Sequence, residues 1–389
     1  MSGGDGLWVE RIALTNFRNH RAVTIEAGPE PVVLAGANGA GKTNILEAVS
    51  LLAAGQGLRR AVYSDMAKTG GDGSWAVAAR VHSMQGPVDI GTGIAAPAPG
   101  SAPSRGPGSR ILRINGETQT GLGILADLVE MVWLTPAMDG LFTGAAGERR
   151  RFLDRLILCF DPGYRGIAGR FERAMTSRNR LLADGVRDPA QLGGYEQIMA
   201  ETGVAIAAVR AEAAAAMAHI IAQRRAREPD SPFPWAGIAI EGALEAELAV
   251  RPAVDVEDQY LRTLANARER DRAAGRTLDG PHRSDLVVTH GPKEMPARLC
   301  STGEQKALLL GLVLAHAELV AARQDGVAPI LLLDEITAHL DETRRAAMFA
   351  EILRLKAQAW MTGTDRTAFA GLTGQARFFA AHDGIVTAE

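Results

Sequence analysis

"PVVLAGANGAGKTNILEAVS", residues 31–50, decides how the rest of the chain is read. It begins as a short continuous apolar run, the pattern of a strand buried on both faces. It passes without a linker into Gly36-Ala37-Asn38-Gly39-Ala40-Gly41-Lys42-Thr43 and then Asn44. The octet fits G-x-x-x-x-G-K-S/T at every position. Glycines let the backbone turn tightly and aim successive N–H groups at phosphate oxygens. The helix expected over residues 42–55 adds the positive end of its dipole. Its apolar face is Ile45, Ala48, Leu51 and Leu52, and Gly55 is its stop. Lys42 can reach the outer phosphates, and Thr43 can hold Mg²⁺. Gly36 to Asn44 are therefore the candidate ATP-binding residues, with ATP and Mg²⁺ as the expected ligands.

Outward from this loop, residues 7–15 and 20–27 alternate as paired strands, and residues 75–82 and 111–114 read as further strands. "INGE" (114–117) carries an Asn-Gly hairpin signal. Residues 92–110 are rich in Pro, Gly, Ala and Ser and read as a surface loop. From Glu148 the texture becomes helical. Tyr195, Met199, Thr202, Ile206, Val209, Ala213, Ala216 and Ile220 alternate spacings of four and three, a heptad seam. "EDQYLRTLANARERDRAAG" (257–275) is the expected returning helix. After Gly280 the α/β texture returns, with the apolar strand "PILLLDE" (329–335). The expected organisation is one α/β domain made of residues 1–147 and 277–389, with a helical arm, 148–276, inserted between its halves.

"ILLLDE" places Asp334 and Glu335 at the end of a buried strand, the edge of a parallel sheet where ligands bind. Asp334 can orient the Mg²⁺ shell, and Glu335 can act as general base toward a water. A second helix start, "CSTGEQKALLLG" (300–311), precedes that strand. Ser301 with Glu304 three residues on also fits a capping box. Ser301, Gly303 and Gln305 form S-x-G-x-Q, which resembles the signature segment of the ABC ATPases. In those proteins two protomers meet head to tail, and the segment binds the γ-phosphate held by the partner's phosphate loop. "AHLD" (338–341) resembles their D-loop, with Asp341 in the dimer seam.

"LTNFRNH" (14–20), "GERRRFLDRL" (147–156), "GPHRSDL" (280–286), "STGEQK" (301–306) and "LLLDEITAHLD" (331–341) together resemble the RecF family of bacterial recombination mediators. The resemblance implies a P-loop ABC-type ATPase head, related to SMC and Rad50 heads, with an inserted α-helical arm. It implies a cytoplasmic, weakly hydrolysing, DNA-dependent ATPase that forms ATP-dependent homodimers. It implies binding to gapped duplexes and single-strand/double-strand junctions, and action with RecR and RecO in loading RecA. Three positions depart from the pattern. Glu335 stands where the family more often has a second aspartate. Thr302 and Glu304 replace the usual glycine or glutamine. Thr364 stands where transporter ATPases carry a switch histidine, which implies slow turnover. No Q-loop glutamine is evident in "VWLTPAMDG" (132–140).

Bulk properties bound the alternatives. The net charge of −3 over 389 residues specifies no partner, and two cysteines make no disulfide framework. No basic n-region opens the chain, and no apolar run reads as a membrane span, so no membrane partner is expected. Arginines outnumber lysines 37 to 5. They cluster at Arg149, Arg150, Arg151 and Arg155 and at Arg224, Arg225 and Arg227, as DNA-phosphate contacts or as solvated helix faces. An SMC- or Rad50-like chromosome-structural head is the alternative reading, and the short arm counts against it. A transporter subunit lacks its histidine here, and a small-molecule kinase has no use for a signature helix.

Overall fold

In the computed structural model the described residues are 6–96, 110–338 and 340–389. The chain opens with strands β1 (Trp8–Phe17), β2 (His20–Glu26) and β3 (Val32–Ala35), then helix α1 (Lys42–Ser50). Strands β4 (Trp75–Ser83), β5 (Gly86–Ile94), β6 (Ile111–Ile114), β7 (Glu117–Gln119) and β8 (Met131–Leu134) follow. The middle holds α2 (Ala146–Ile157), α3 (Tyr164–Ala183), α4 (Pro189–Arg227), β9 (Ala236–Glu241), α5 (Ala243–Leu248), α6 (Ala253–Asn266), α7 (Arg268–Ala274), β10 (Asp285–His290) and β11 (Met295–Pro296). The chain continues through α8 (Thr302–Arg323), β12 (Ile330–Leu333), α9 (Glu342–Leu355), β13 (Ala359–Gly363), β14 (Arg377–His382) and β15 (Ile385–Ala388).

Contacts divide the chain into two compact units. The first comprises the described residues up to Asp139 with Asp230–Phe233 and Val313–Glu389; the second is Gly140–Pro229 with Pro234–Leu312. The first unit is built on two six-stranded sheets. One is antiparallel in the order β2-β1-β4-β5-β6-β7; the other runs β15-β14-β3-β13-β12-β8, parallel except for β15. β4 buries every second residue because one face of its sheet is packed and the other solvated. β3 and β12 are buried at all four positions, which is why both read as unbroken apolar runs. Ile12, Leu34, Ile45, Trp75, Leu332 and Trp360 meet in the core of this unit. The hairpin at Asn115-Gly116 forms with φ of 51° and 86°, the pair of positive values a two-residue I′ turn requires.

Several expectations shift. Helix α1 ends at Ser50 rather than at 55, although Leu51 and Leu52 remain fully buried. Residues 92–94 complete β5, and residues 97–109 of the expected loop lie outside the described residues. The second unit contains a three-stranded sheet, β11-β10-β9, that no sequence signal anticipated. Of the heptad seam, Met199, Thr202, Ile206, Ala213 and Ile220 are buried, but so are Leu192, Ala200, Val204, Ala207, Met217 and Ile221. That stripe is too wide for a two-helix seam, because α4 packs against α3 and also against α6 and β9. The returning helix is broken at Ala267 into α6 and α7. Arg178 of α3, fully buried, joins α3, α4 and α7 through Glu196 (3.1 Å) and Asp271 (2.7 Å).

The expectation of no membrane-length apolar run also needs correction. By length and composition α4 and α8 would each suffice, and 78% of the α8 window is buried inside the protein, as in a core helix.

Candidate nucleotide-binding site

β3 delivers the phosphate loop to the C-terminal edge of its sheet, and β12 delivers Asp334 and Glu335 to the same edge, one strand removed. The loop's shape needs its glycines. Gly36 has φ 153° and Gly41 has φ 104°. A Cβ on Gly36 would lie 2.2 Å from the Ala381 carbonyl oxygen, and one on Gly41 would lie 2.6 Å from the His20 and Asn19 side chains. Ala37, Asn38 and Gly39 are exposed at the turn, while Ala40 is buried. Helix α1 then starts with no side-chain cap and no acidic residue in its first turn. Its first N–H groups are therefore open to an anion.

Lys42 is 4% exposed, and its Nζ donates to the carbonyl oxygens of Gly36 (2.6 Å) and Ala37 (2.8 Å). Burial pulls its pKa below the ordinary lysine value; the Glu335 and Asp334 carboxylates act in the opposite direction. Thr43 Oγ1 donates to Asp334 Oδ1 at 2.9 Å, so the two candidate Mg²⁺ ligands are already side by side. Thr362 Oγ1, at the end of β13, donates to the same oxygen at 2.7 Å and accepts the Glu335 N–H at 2.8 Å. Among the described residues no cluster of three His, Cys, Asp or Glu side chains could hold a metal by itself. A hydroxyl beside one carboxylate suits Mg²⁺, a hard cation that takes one or two protein ligands and completes its shell with phosphate and water.

The segment "NFRNH" turns out to brace the loop from outside, a role the sequence did not disclose. His20, fully buried, sets its ring nitrogens 2.8 Å from the Gly384 carbonyl and 3.1 Å from that of Gly41. Asn19 receives the Asn44 amide at 2.8 Å and donates to the Ala40 carbonyl at 3.3 Å. Arg18 grips the buried Glu47 of α1 with two bonds of 2.8 and 2.7 Å, and Arg59 approaches Glu47 at 3.3 Å and Asn44 at 2.8 Å. These contacts fix the start of α1 relative to the β1–β2 hairpin.

The S-x-G-x-Q segment lies in the second unit, the phosphate loop and acidic pair in the first. Ser301 and Thr302 are exposed and Gly303 is partly so. The capping box is formed: Ser301 N and Oγ donate to Glu304 Oε2 at 3.0 and 2.9 Å. Lys293 holds the other Glu304 oxygen at 2.5 Å. The Lys293 ammonium and the Ser301 donors hold the Glu304 pKa at about 2. Gln305 is buried and turned inward, its amide donating to the Cys300 carbonyl at 2.9 Å. Asp341 caps α9 by accepting the Arg344 N–H at 2.8 Å; its neighbour His339 lies outside the described residues.

A phosphate loop and an acidic strand on one parallel edge, an antiparallel sheet beside them and a mostly helical insertion define a P-loop ATPase head of the ABC type. The RecF/RecN/SMC N-terminal domain model matches residues 8–387. "DNA replication and repair protein RecF" of Mesorhizobium japonicum is 54% identical over 379 residues, covering 97% of both chains. The protein of that name from Rhizobium etli is 52% identical over 378 residues, covering 97% of this chain and 98% of its own. The chain belongs to the RecF family. Its fold matches a structure of the recombination mediator RecF with ATPrS at TM-score 0.84, 22% identity and full coverage of both chains. An Smc head domain from Pyrococcus furiosus matches at TM-score 0.55 and 17% identity, over 98% of this chain and 96% of that one.

Proposed function

We propose that the protein is an ATP-dependent DNA-binding ATPase of recombinational repair, working as the RecF of its cell. The observation that carries this reading is the 2.9 Å contact between Thr43 and Asp334, which joins the phosphate loop to the acidic strand as a metal–nucleotide site requires. Gly36 to Asn44 would cradle the phosphates, with Lys42 turning from the loop carbonyls to the outer phosphates. Thr43 and Asp334 would hold Mg²⁺, which when bound screens the phosphate charge. Glu335 would orient the attacking water and take its proton. Ser301, Gly303 and the inward-braced Gln305 would present the signature helix to ATP on a second copy of the chain, with Asp341 in the seam. Dimerisation would then be the switch that closes the protein on gapped DNA, with RecR and RecO as partners in loading RecA. Thr364, exposed and with no imidazole to offer, accords with slow hydrolysis in a cytoplasmic protein.

An SMC- or Rad50-like structural head is the second reading. α4, at 39 residues, spans only ~58 Å at 1.5 Å per residue, short for a long-range tether.

Complementation between two defective proteins tests the head-to-tail arrangement. Lys42→Ala should lose tight ATP binding, and Ser301→Arg should bind ATP as a monomer but neither dimerise nor hydrolyse. A mixed dimer has one site with both lesions and one intact site, so ATPase activity should partly recover on mixing. No recovery, together with ATP-dependent dimers of Ser301→Arg alone, would return Ser301 to the role of a helix cap.

A further inference from the structure

We propose that Thr362 is the positioning residue of the acidic pair, and that the end of β13 is the brace that registers that pair against the phosphate loop. This rests on the reading of Asp334 and Glu335 as the metal-holding and water-directing carboxylates. β13 lies between β3 and β12 in the sheet, so the two halves of the site are not adjacent strands. Its last two residues bridge them. The Gly363 carbonyl accepts the Gly36 N–H at 3.2 Å, on the loop side. Thr362, fully buried, serves the acidic side.

The direction of each bond at Thr362 follows from chemistry. A backbone N–H can only donate, so Oγ1 must accept from Glu335. Its single proton is then committed to Asp334 Oδ1, which also receives the Thr43 hydroxyl. Both of these donors fall on Oδ1, so the carboxylate is held in one orientation, and among the described residues no hydroxyl is directed at Oδ2. Glu335 sits at φ 49°, in the left-handed region that a non-glycine residue seldom adopts. Such a conformation persists only where its surroundings over-determine it. The Thr362 hydroxyl is one such restraint, on the Glu335 N–H, beside the bond from the Ala338 N–H to the Glu335 carbonyl.

Thr362→Val keeps shape and volume and removes the hydroxyl; Thr362→Ser keeps the hydroxyl. In the nucleotide-free protein the Glu335 amide should exchange its hydrogen at least ~10-fold faster in the valine variant, and at the wild-type rate in the serine variant, because an unpaired N–H is unprotected. In ATP hydrolysis, kcat should fall ~10²-fold for valine with KM changed only a few-fold, the cost of a small misplacement, and serine should restore it. The Mg²⁺-dependent part of the affinity for a non-hydrolysable ATP analogue should shrink for valine, while Mg²⁺-free binding through Lys42 is kept. Should the valine variant not fold, Thr362→Ala takes the same three measurements. Wild-type exchange and kcat in Thr362→Val, or a serine variant as defective as valine, would overturn the proposal. Glu335→Gln separates the layers: if it hydrolyses ATP as wild type does, the reading beneath fails. If it is inactive while Thr362→Val is fully active, the brace alone is wrong.

Discussion

Glu47 and Glu130, two carboxylates of the first unit, are held in opposite ways. Glu47, fully buried on α1, is paired with Arg18 and Arg59. Among the described residues no cation faces Glu130, which meets the Gln324 amide, and burial pushes its pKa up to about 7. The folded protein therefore keeps a proton that the unfolded chain releases near its ordinary 4.5. Stability should fall as pH rises from about 4.5 to about 7 and show no further loss from this group above that. Glu130→Gln removes the titration and should gain about 1–3 kcal/mol relative to wild type at pH 8 while gaining little at pH 4.5. Urea unfolding at the two pH values checks this; equal gains at both would assign the effect to packing. At this scale the candidate phosphate-loop residues were legible because their pattern is local, eight consecutive residues that fit one motif at every position. Thr362 was not, since a threonine inside the apolar run "AWMTG" reads as β-sheet packing until its two partners, 27 and 28 residues away, are in view.

Helix starts carry the next level of meaning. α1 is left open at its N-terminus and α8 is closed by Ser301 and Glu304, so two glycine-bearing helix starts that look alike in sequence present different surfaces. Arginine clusters are equally ambiguous until packed. The run at 149–151 suggested a DNA-facing root of the arm, but its members part ways on α2. Arg149 forms a two-pronged pair with Asp285 at 2.8 and 2.7 Å and donates to the carbonyls of Leu141, Phe142 and Gly144. Arg150 donates to the Ser284 carbonyl at 2.6 Å, and Arg151 is exposed. Arg149→Ala should therefore cost about 2–4 kcal/mol, because it strands Asp285 and three carbonyls. Arg151→Ala should stay within about 0.5 kcal/mol. Denaturant midpoints of the two variants decide; equal stabilities would mean that the Arg149 pair is solvent-screened. "GERRRFLDRL" and "GPHRSDL", which served only as family marks, are thus the two sides of one structural junction within the second unit.

For the whole molecule, the proposed DNA binding should run through exposed arginines such as Arg151 to phosphates, with little sequence preference. Each phosphate contact should contribute about 0.9 to the log–log salt slope, so fluorescence anisotropy from low to high salt in the presence of ATP counts the contacts. A flat salt profile, or strong discrimination among duplex sequences of equal length, would contradict this. The sequence by itself determined the nucleotide chemistry, the α/β class and the family, because phosphate cradling and buried parallel strands are written in contiguous residues whose spacing admits few alternatives. Only the tertiary structure decided which distant groups serve that chemistry: the "NFRNH" brace around the loop, the Thr362 tether and the inward turn of Gln305. It also decided that α4 buries a broad face against several elements, α3, α6 and β9 foremost, and not a two-helix seam. The physical reason is common to all of them. A hydrogen bond or a packed face is defined by position in space, and residues hundreds apart in the chain acquire that position only when the sheets bring their ends to one edge.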